Sequence, residues 1–362
     1  MPKPLVSALI NTYNYGRFVE EAVESVLAQD YPASSLEIVV ADDGSTDDTA
    51  ARMARLSARV RYLRLEHRGQ SAALNAGIGA SHGEIVAFLD ADDVWRRDKV
   101  RRVVEAFTAN PHAGMVYHAF ELWRADGQPV PQQEFQAISG IVSSRLQDLL
   151  AYDGQATSGQ AFRRSVLDEM LPLPEECVIG CSDGYLSYNC IFRWPVVAIA
   201  EPLVRYRLHG ENQFSFERGD PARMRVKRAC WQAMMREHQA WLRRQGFDPS
   251  DPGIVAFGKR QVLADEMMSF GIAAPGRLQF FRHMRQEMSL YSPVWSRKYR
   301  VWKSLSSLAS LALGFRAFVA LRKSYQNSAA LRGTRTALVP RMRAVAAEQP
   351  LESPPLHGRM AG

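Results

Sequence analysis

The chain has little cysteine and no long apolar run. Its four cysteines are Cys177, Cys181, Cys190 and Cys230. They lack the paired short spacings of a zinc site, so we expect reduced thiols. The opening run from Leu5 is interrupted by Asn11 and Asn14, which is unlike a signal peptide. These absences predict a cytoplasmic protein.

A glycine-rich phosphate loop is also missing after the first predicted strand. The run Leu5–Ile10 continues into Asn11-Thr12-Tyr13-Asn14-Tyr15-Gly16. A nicotinamide-dependent oxidoreductase would carry its glycine fingerprint here, and a sugar nucleotidyltransferase would carry a glycine-rich basic loop. The sequence therefore argues against both classes.

Charge is unevenly distributed along the 362 residues, whose formal net charge is +7. Residues 1–215 hold 20 basic and 28 acidic side chains, whereas residues 216–330 hold 20 and 8. The basic part could face anionic lipid, nucleic acid or a phosphorylated acceptor. We expect no nucleic-acid partner, because the arginines are spread along predicted helices without a known binding module.

Short β-rich runs alternate with helical patterns in the first part of the chain. The predicted strands are Leu5–Ile10, Leu36–Ala41, Val60–Leu65 and Ile85–Leu89. The predicted helices are Phe18–Gln29, Thr49–Ser57, Ser71–Ala80 and Val100–Phe107. This alternation predicts an α/β fold with a mostly parallel sheet flanked by helices.

The rest of the chain divides into three predicted parts. Residues 114–215 are irregular, with strand-like pieces at Gly114–Phe120 and Val196–Tyr206 and a helix at Arg163–Met170. Residues 216–330 are helical and basic, and residues 331–362 resemble a disordered tail. The four helices predicted in the basic part are Met224–Trp241, Val255–Ser269, Arg277–Met288 and Arg297–Tyr325.

Two strands of the predicted sheet end in carboxylates. Ile85–Leu89 runs into Asp90-Ala91-Asp92-Asp93, and Leu36–Ala41 runs into Asp42-Asp43-Gly44-Ser45. Like charges at a strand end repel unless a cation neutralises them, and Mg²⁺ and Mn²⁺ prefer such oxygen ligands. The alternative is an Asp-rich turn whose carboxylates cap backbone amides. At the second strand, a carboxylate could also accept the imide hydrogen of a pyrimidine base.

With both strand ends in place, the first part resembles a family 2 glycosyltransferase of the GT-A (Rossmann-like) fold. The matching stretches are Val6–Asn14, Asp42–Asp47, Gly69–Gly77 and Asp90–Asp93. Weaker matches follow at Ser158–Arg164, Ser182-Asp183 and Tyr206–Asn212. The resemblance implies a GT-A catalytic domain over 1–215, with a nucleotide-sugar-binding half to about 113 and an acceptor-binding half after it.

The resemblance also implies a set of nucleotide-sugar-binding residues. They are Thr12, Tyr13, Asp42, Asp43, Arg68, Asn75, Asp90 and Asp92. Tyr13 could stack on a flat base, and Asp90 would face the ribose. Leu74 stands where relatives often carry an arginine.

A divalent cation, Mn²⁺ or Mg²⁺, is the implied cofactor. Asp92 would hold it against the donor diphosphate, whose departure it would assist. His209 lies where several relatives complete the metal shell, since imidazole binds Mn²⁺ readily. Alternatively, His209 is a loop histidine paired with Glu211 or with a backbone carbonyl.

Asp183 occupies the place of the catalytic base that takes the proton from the acceptor hydroxyl in inverting transfer. Ser182 replaces the glutamate that often precedes it in relatives, and the alternative is a turn aspartate. We therefore expect transfer from a nucleoside-diphosphate sugar, favouring a UDP type, to a glycan or lipid-linked glycan. The alternative is a non-catalytic nucleotide-sugar-binding or scaffold protein.

An apolar stretch near the carboxyl end, Ser304–Leu321, is too polar for a confident transmembrane helix. Leu308, Leu311, Phe315 and Phe318 could form a stripe that lies on an anionic membrane. The same stripe could instead pack on the catalytic domain. The first alternative predicts peripheral contact with the inner face of the cell membrane.

Overall fold

The computed structural model describes residues 3–124, 126–130, 135–175, 181–209, 212, 221–315 and 317–320. The strands are β1 (Val6–Thr12), β2 (Leu36–Asp42), β3 (Arg61–Arg64), β4 (Ile85–Asp90), β5 (Val94–Trp95), β6 (Met115–Arg124), β7 (Gln160–Arg163) and β8 (Val196–Leu208). The first seven helices are α1 (Gly16–Leu27), α2 (Thr49–Arg55), α3 (Gln70–Ala80), α4 (Lys99–Ala109), α5 (Leu146–Ala151), α6 (Arg164–Met170) and α7 (Ser182–Arg193). The helices that follow are α8 (Pro221–Arg244), α9 (Pro252–Ile272), α10 (Arg277–Tyr291) and α11 (Arg297–Leu313).

The described strands form one sheet in the order β3-β2-β1-β4-β7-β6-β8-β5. The first four strands run parallel, β7 is antiparallel to both of its neighbours, and β6 and β8 are parallel. Helices pack on both faces. The predicted α/β fold with a mostly parallel sheet and a following helical region is confirmed.

The central strands are apolar because both of their faces are covered. In β1, Val6, Ala8 and Ile10 point to one side, where they share a core with residues of α1 and α4. Leu9 points to the other side, towards residues of α3 and α7. Strands buried on both faces show continuous rather than alternating apolar character. Helix α3 lies so close that a Cβ atom at Gly77 would stand 2.4 Å from Leu9 Cδ1.

Four elements of the middle of the chain were missed by the sequence patterns. These elements are the short strands β5 and β7 and the helices α5 and α7. Helix α7 escapes detection because it is buried nearly all round, with even Ser187 and Asn189 at 0% exposure. An apolar stripe at helical spacing, which is the usual signal, is therefore absent.

Helix α8 joins the sheet's own core through Met234 and Trp241. The helices α9, α10 and α11 pack successively beyond it. Gly314, with φ 86°, follows the last residue of α11 and interrupts the predicted helix Arg297–Tyr325, although Phe315 and residues 317–320 are helical again. The predicted boundary at residues 215 and 216 and the predicted tail at 331–362 lie outside the described residues.

The predicted stripe near the carboxyl end does not form one surface. Phe318 is 1% exposed and packs with Phe280, and Phe315 packs against the same cluster. The prediction that these two rings face a membrane is therefore wrong, because they close a core with α9 and α10. Leu308 and Leu311 remain exposed. Within the described ranges, no helix has both the length and the apolar character needed to cross a bilayer.

Candidate active site

The candidate site lies at the carboxyl ends of the parallel strands. Strand β1 pairs with β2 so that Thr12 is opposite Asp42, and with β4 so that Asn11 is opposite Asp90. The polar residues that follow three strands therefore meet at one edge of the sheet. In open α/β sheets this edge is where ligands bind.

Asp43 organises the turn after β2. Its carboxylate accepts hydrogen bonds from the backbone amides of Arg68, at 2.8 Å, and Gly69, at 2.9 and 3.0 Å. Gly44 has φ 77°, and a Cβ atom there would lie 2.8 Å from the backbone nitrogen of His67. Only glycine fits that position without strain. The turn after β2 is thus fastened to the start of α3.

Asp42 is fully buried beneath this turn. It accepts hydrogen bonds from the backbone amide of Ser45, at 2.9 Å, and from the hydroxyl of Tyr62. Asn14, at φ 55°, joins the loop after β1 to the same turn, because its side-chain oxygen accepts the amide of Thr46 at 2.8 Å. Asp42 therefore holds the shape of the turn, and its direct contact with a nucleotide stays a prediction.

Tyr13 and His67 form a stacked pair beside the turn. Their ring centroids are 4.1 Å apart and their planes differ by 8°. His67 Nδ1 lies 2.8 Å from a carboxylate oxygen of Asp43, which fixes the imidazole. Tyr13 remains 38% exposed, so a flat aromatic surface is available to a ligand. The sequence offered no signal for His67.

Asp90 ends β4 in a desolvated position. Its backbone amide donates to Ser158 Oγ at 2.9 Å, and Gln70 Nε2 donates to its carboxylate at 3.4 Å. Burial first, and then the charges of Asp92 and Asp183, raise the pKa of Asp90 to about 8. The structure therefore brings these three carboxyl groups into one electrostatic neighbourhood. The buried hydroxyl of Thr12 has no hydrogen-bond partner among the described residues.

Asp92 and His209 meet although 117 positions separate them in the sequence. His209 Nε2 lies 2.9 Å from Asp92 Oδ2, and Asn212 Nδ2 lies 3.4 Å from the same oxygen. The side chains of His209 and Asp92 are only 6% and 10% exposed. The ring of His209 contacts the rings of Tyr15, just before α1, and Phe18, on α1. Glu211, the alternative partner of His209, lies outside the described residues.

Asp93 is held by a hydrogen bond from β8. One of its oxygens accepts the backbone amide of Arg207 at 3.0 Å, while the other is buried and has no partner in the described part of the chain. Burial, with the nearby charges of Asp92 and Asp90, raises the pKa of Asp93 well above its usual value. Asp93 therefore binds a backbone amide of β8 rather than capping the helix that follows the turn, and the metal-binding interpretation of the turn stays a prediction.

A buried lysine side chain lies below the acidic turn. Lys99 has no exposed surface, and its Nζ donates to the carbonyl oxygen of Ser158 at 2.6 Å and lies over the ring of Trp95. Burial lowers the pKa of Lys99 well below its usual value, while the charges of Asp93 and Asp90 oppose that shift. No motif in the sequence singled out Lys99 as part of the site. Helical spacing would have placed it on the apolar face of α4.

Asp183 stands in the first turn of α7. Burial raises its pKa to about 7, against the opposing effect of the Lys227 ammonium. Ser182 is wholly buried, and its hydroxyl lies 2.8 Å from the hydroxyl of Ser71 on α3. Ser182, which stands where relatives often carry a glutamate, therefore joins α7 to α3 through its hydroxyl group.

Two of the predicted nucleotide-binding side chains are occupied by protein contacts. Asn75 makes two hydrogen bonds to the backbone of Leu173, at 2.8 and 3.0 Å. The guanidinium of Arg68 pairs with Glu175 and is largely exposed. Asn75 thus fastens the segment after α6 to α3, whereas Arg68 can exchange its partner for a ligand.

A metal ion would find part of its coordination shell here. Asp92 and His209 offer a carboxylate oxygen and an imidazole nitrogen from one buried pair, a donor set that suits Mn²⁺. Nowhere in the described ranges do three or more His, Cys, Asp or Glu side chains form a group that could hold a metal. Asp92 and His209 therefore fit a metal that also draws ligands from a bound substrate.

Comparison with known proteins defines the class of protein. Residues 7–171 match the family model described as glycosyl transferase family 2. The matched part of the chain, residues 7–171, belongs to this family. The match contains the carboxyl ends of β1, β2 and β4, which carry the acidic turns.

Relatives by sequence carry consistent names. An uncharacterised glycosyltransferase of Nostoc sp. is 35% identical over 216 residues, covering 57% of this chain and 66% of the relative. The putative teichuronic acid biosynthesis glycosyltransferase TuaG of Bacillus subtilis is 33% identical, covering 35% and 51%. The succinoglycan biosynthesis protein ExoO of Rhizobium meliloti is 42% identical, covering 28% and 29%. The chain thus covers between 29% and 66% of the length of these three relatives.

Solved structures share the fold at low identity. TarS of S. aureus, residues 1–349 in complex with UDP-GlcNAc, has a TM-score of 0.57 at 16% identity, covering 88% of this chain and 92% of that one. The mannosyltransferase PcManGT from Pyrobaculum calidifontis, in complex with GDP-Man and Mn²⁺, has a TM-score of 0.50 at 22% identity, covering 86% and 87%. These likenesses extend through the helices that follow the sheet.

Proposed function

We propose that this chain transfers a sugar from a nucleoside-diphosphate sugar to a glycan hydroxyl with inversion. The observation that carries the proposal is the position of Asp90 and Asp92 beyond the carboxyl end of β4, close to Asp183. Ser158 binds the backbone amide of Asp90 at 2.9 Å, and Gln160, two residues further on, donates to the backbone carbonyl of Asp183 at 3.3 Å. Such crowding costs stability unless a ligand with complementary charge binds there. A divalent cation would supply that charge, and it would also bind the diphosphate that leaves in the proposed reaction.

The nucleotide would lie across the ends of β1 and β2. The stacked rings of Tyr13 and His67 offer a flat surface to the base. Asp43 and Thr12 lie at the same edge, and Arg68 can turn from Glu175 to the phosphates. A UDP-sugar is the donor to test first, since the TarS structure holds UDP-GlcNAc, and GDP-mannose is the second.

Asp183 would act as the base. Its carboxyl group, with a pKa of about 7, can take the proton of the acceptor hydroxyl as the new bond to the anomeric carbon forms. The bond from that carbon to the diphosphate breaks on the opposite side, which inverts the configuration. Asp92 and His209 would hold Mn²⁺ or Mg²⁺, which neutralises the charge that develops on the leaving diphosphate.

The acceptor and the location are part of the same proposal. TuaG and ExoO are named for teichuronic acid and succinoglycan biosynthesis, so a cell-surface polysaccharide or its lipid-linked precursor is the proposed acceptor. We place the chain in the cytoplasm, in peripheral contact with the inner face of the membrane. The basic charge of residues 216–330 supports that contact.

The test is release of nucleoside diphosphate from a panel of UDP- and GDP-sugars by the full chain, with a mixture of glycan acceptors and Mn²⁺. Asp183→Asn should bind the same donor with little change in affinity and turn it over at least a hundredfold more slowly. Asp168→Asn, exposed on α6, is the matched control and should turn over normally. Full turnover by Asp183→Asn would remove the assigned base, and donor binding without any turnover by the wild type would favour a non-catalytic protein.

A further inference from the structure

Helix α11 has polar side chains on its buried face and aliphatic side chains on its exposed face. The buried residues are Tyr299, Lys303, Ser306, Ser307 and Ser310, none more than 8% exposed. The exposed residues are Val301, Leu305, Leu308 and Leu313, with exposed fractions of 54, 62, 57 and 69%. A surface helix of a water-soluble domain shows the opposite distribution. The exposed face of α11 is therefore suited to an apolar environment.

The exposed aliphatic residues form a continuous stripe. Val301, Leu305, Leu308 and Ala312 follow one another at steps of four, three and four, which is the spacing of one helical face. The buried face is fixed independently, since Lys303 forms an ion pair of 2.7 Å with Glu287 on α10. The stripe therefore cannot turn inwards without breaking a buried ion pair.

The sequence that contains the stripe is strongly basic. Arg297, Lys298 and Arg300 are exposed at the start of α11. Residues 288–347 contain eleven Lys and Arg side chains and no Asp or Glu. A stretch without carboxylates, joined to an aliphatic stripe, is the composition of segments that lie on anionic bilayers.

We propose that the exposed face of α11 lies on an anionic lipid surface, with its leucines in the acyl boundary and its basic residues against the head groups. A second copy of the chain is a poorer occupant, because it would bring like charges together. Residues 321–362 are also a poorer occupant of this face, because their seven basic and two acidic side chains would again bring like charges together. The proposal gives the peripheral contact proposed above a defined surface.

The test is flotation of the full chain with vesicles of phosphatidylcholine alone or mixed with phosphatidylglycerol. Wild-type protein should float only with the anionic vesicles, and less at high salt, where head-group attraction is screened. Leu305→Ser with Leu308→Ser should weaken binding about tenfold. Val262→Ser with Leu278→Ser, which alters aliphatic residues 60 and 57% exposed on α9 and α10, should bind as the wild type does.

Three results would overturn the proposal. The first is that the wild-type protein fails to float with anionic vesicles. The second is that the two double variants lose vesicle binding equally. The third is that the wild type forms a dimer and the α11 variant does not. Thermal melting of both double variants should match the wild type, because the substituted side chains are exposed. Nucleotide affinity should also be unchanged, so failure here is distinguishable from failure of the proposed transferase.

Discussion

The carboxyl group of Asp183 should make the wild-type protein less stable at neutral pH than a variant that lacks it. Burial raises its folded-state pKa to about 7 from an ordinary 3.8. The folded protein thus holds a proton that the unfolded chain has already lost between those two values. Stability linked to Asp183 is therefore present at low pH and is lost as the pH rises towards 7.

Asp183→Asn removes this dependence because the amide is neutral throughout. For a fully shielded group, the pKa change would cost about 4 kcal/mol above pH 7, at ~1.4 kcal/mol for each pH unit. Partial exposure of the side chain and the nearby Lys227 reduce that figure. We expect Asp183→Asn to be more stable than the wild type by about 1–2 kcal/mol at pH 8, and equal to it near pH 4.

Urea unfolding of both proteins, without nucleotide and with a chelator present, measures this difference across the pH range. The difference between the two curves cancels the titration of groups that they share. Asp168→Asn provides a matched control for loss of one exposed carboxylate. A flat difference curve, or a wild type that gains on Asp183→Asn as the pH rises, would refute the reasoning.

Two further substitutions test the support beneath the site. Lys99→Met should destabilise the fold by about 3 kcal/mol in urea unfolding, because it leaves the buried carbonyl oxygen of Ser158 without its donor and the nearby carboxyl groups without their amine partner. Exposed Lys259→Met should have little effect, and equal effects of the two substitutions would contradict the assigned role of Lys99. Gly44→Ala should cost about 1–3 kcal/mol in thermal unfolding and weaken nucleotide binding, because of its positive φ and the close backbone of His67. The control Gly79→Ala, on an open face of α3, should instead stabilise the fold by up to about 1 kcal/mol and leave nucleotide binding unchanged. A stable Gly44→Ala variant with normal nucleotide affinity would show that the turn tolerates a side chain.

Much of the site could be predicted because short-range signals coincide there. An apolar run that ends in Asp90 or Asp42 gives both the strand and the position of its carboxyl end. The pairing of β1 with its two neighbours then brings those ends together. A parallel sheet places such residues at one edge whatever their distance in sequence.

Other parts of the site depend on contacts that no local pattern encodes. His67 reaches Tyr13 only through the turn that Asp43 fastens, and His209 reaches Asp92 only once β8 has joined the sheet. Helix α7 gave no periodic signal because the protein surrounds it. The exposed stripe of α11 was misjudged because aromatic residues beyond Gly314 fold back onto the chain.

The central claim is that Asp92 holds a cation that binds the donor diphosphate. Calorimetric titration of UDP and GDP into wild type and Asp92→Asn, each with and without Mn²⁺, tests it most directly. We predict that Mn²⁺ strengthens binding to the wild type at least tenfold, and that Asp92→Asn loses this gain while keeping its metal-free affinity. Retention of the full Mn²⁺ effect by a folded Asp92→Asn variant would contradict the account.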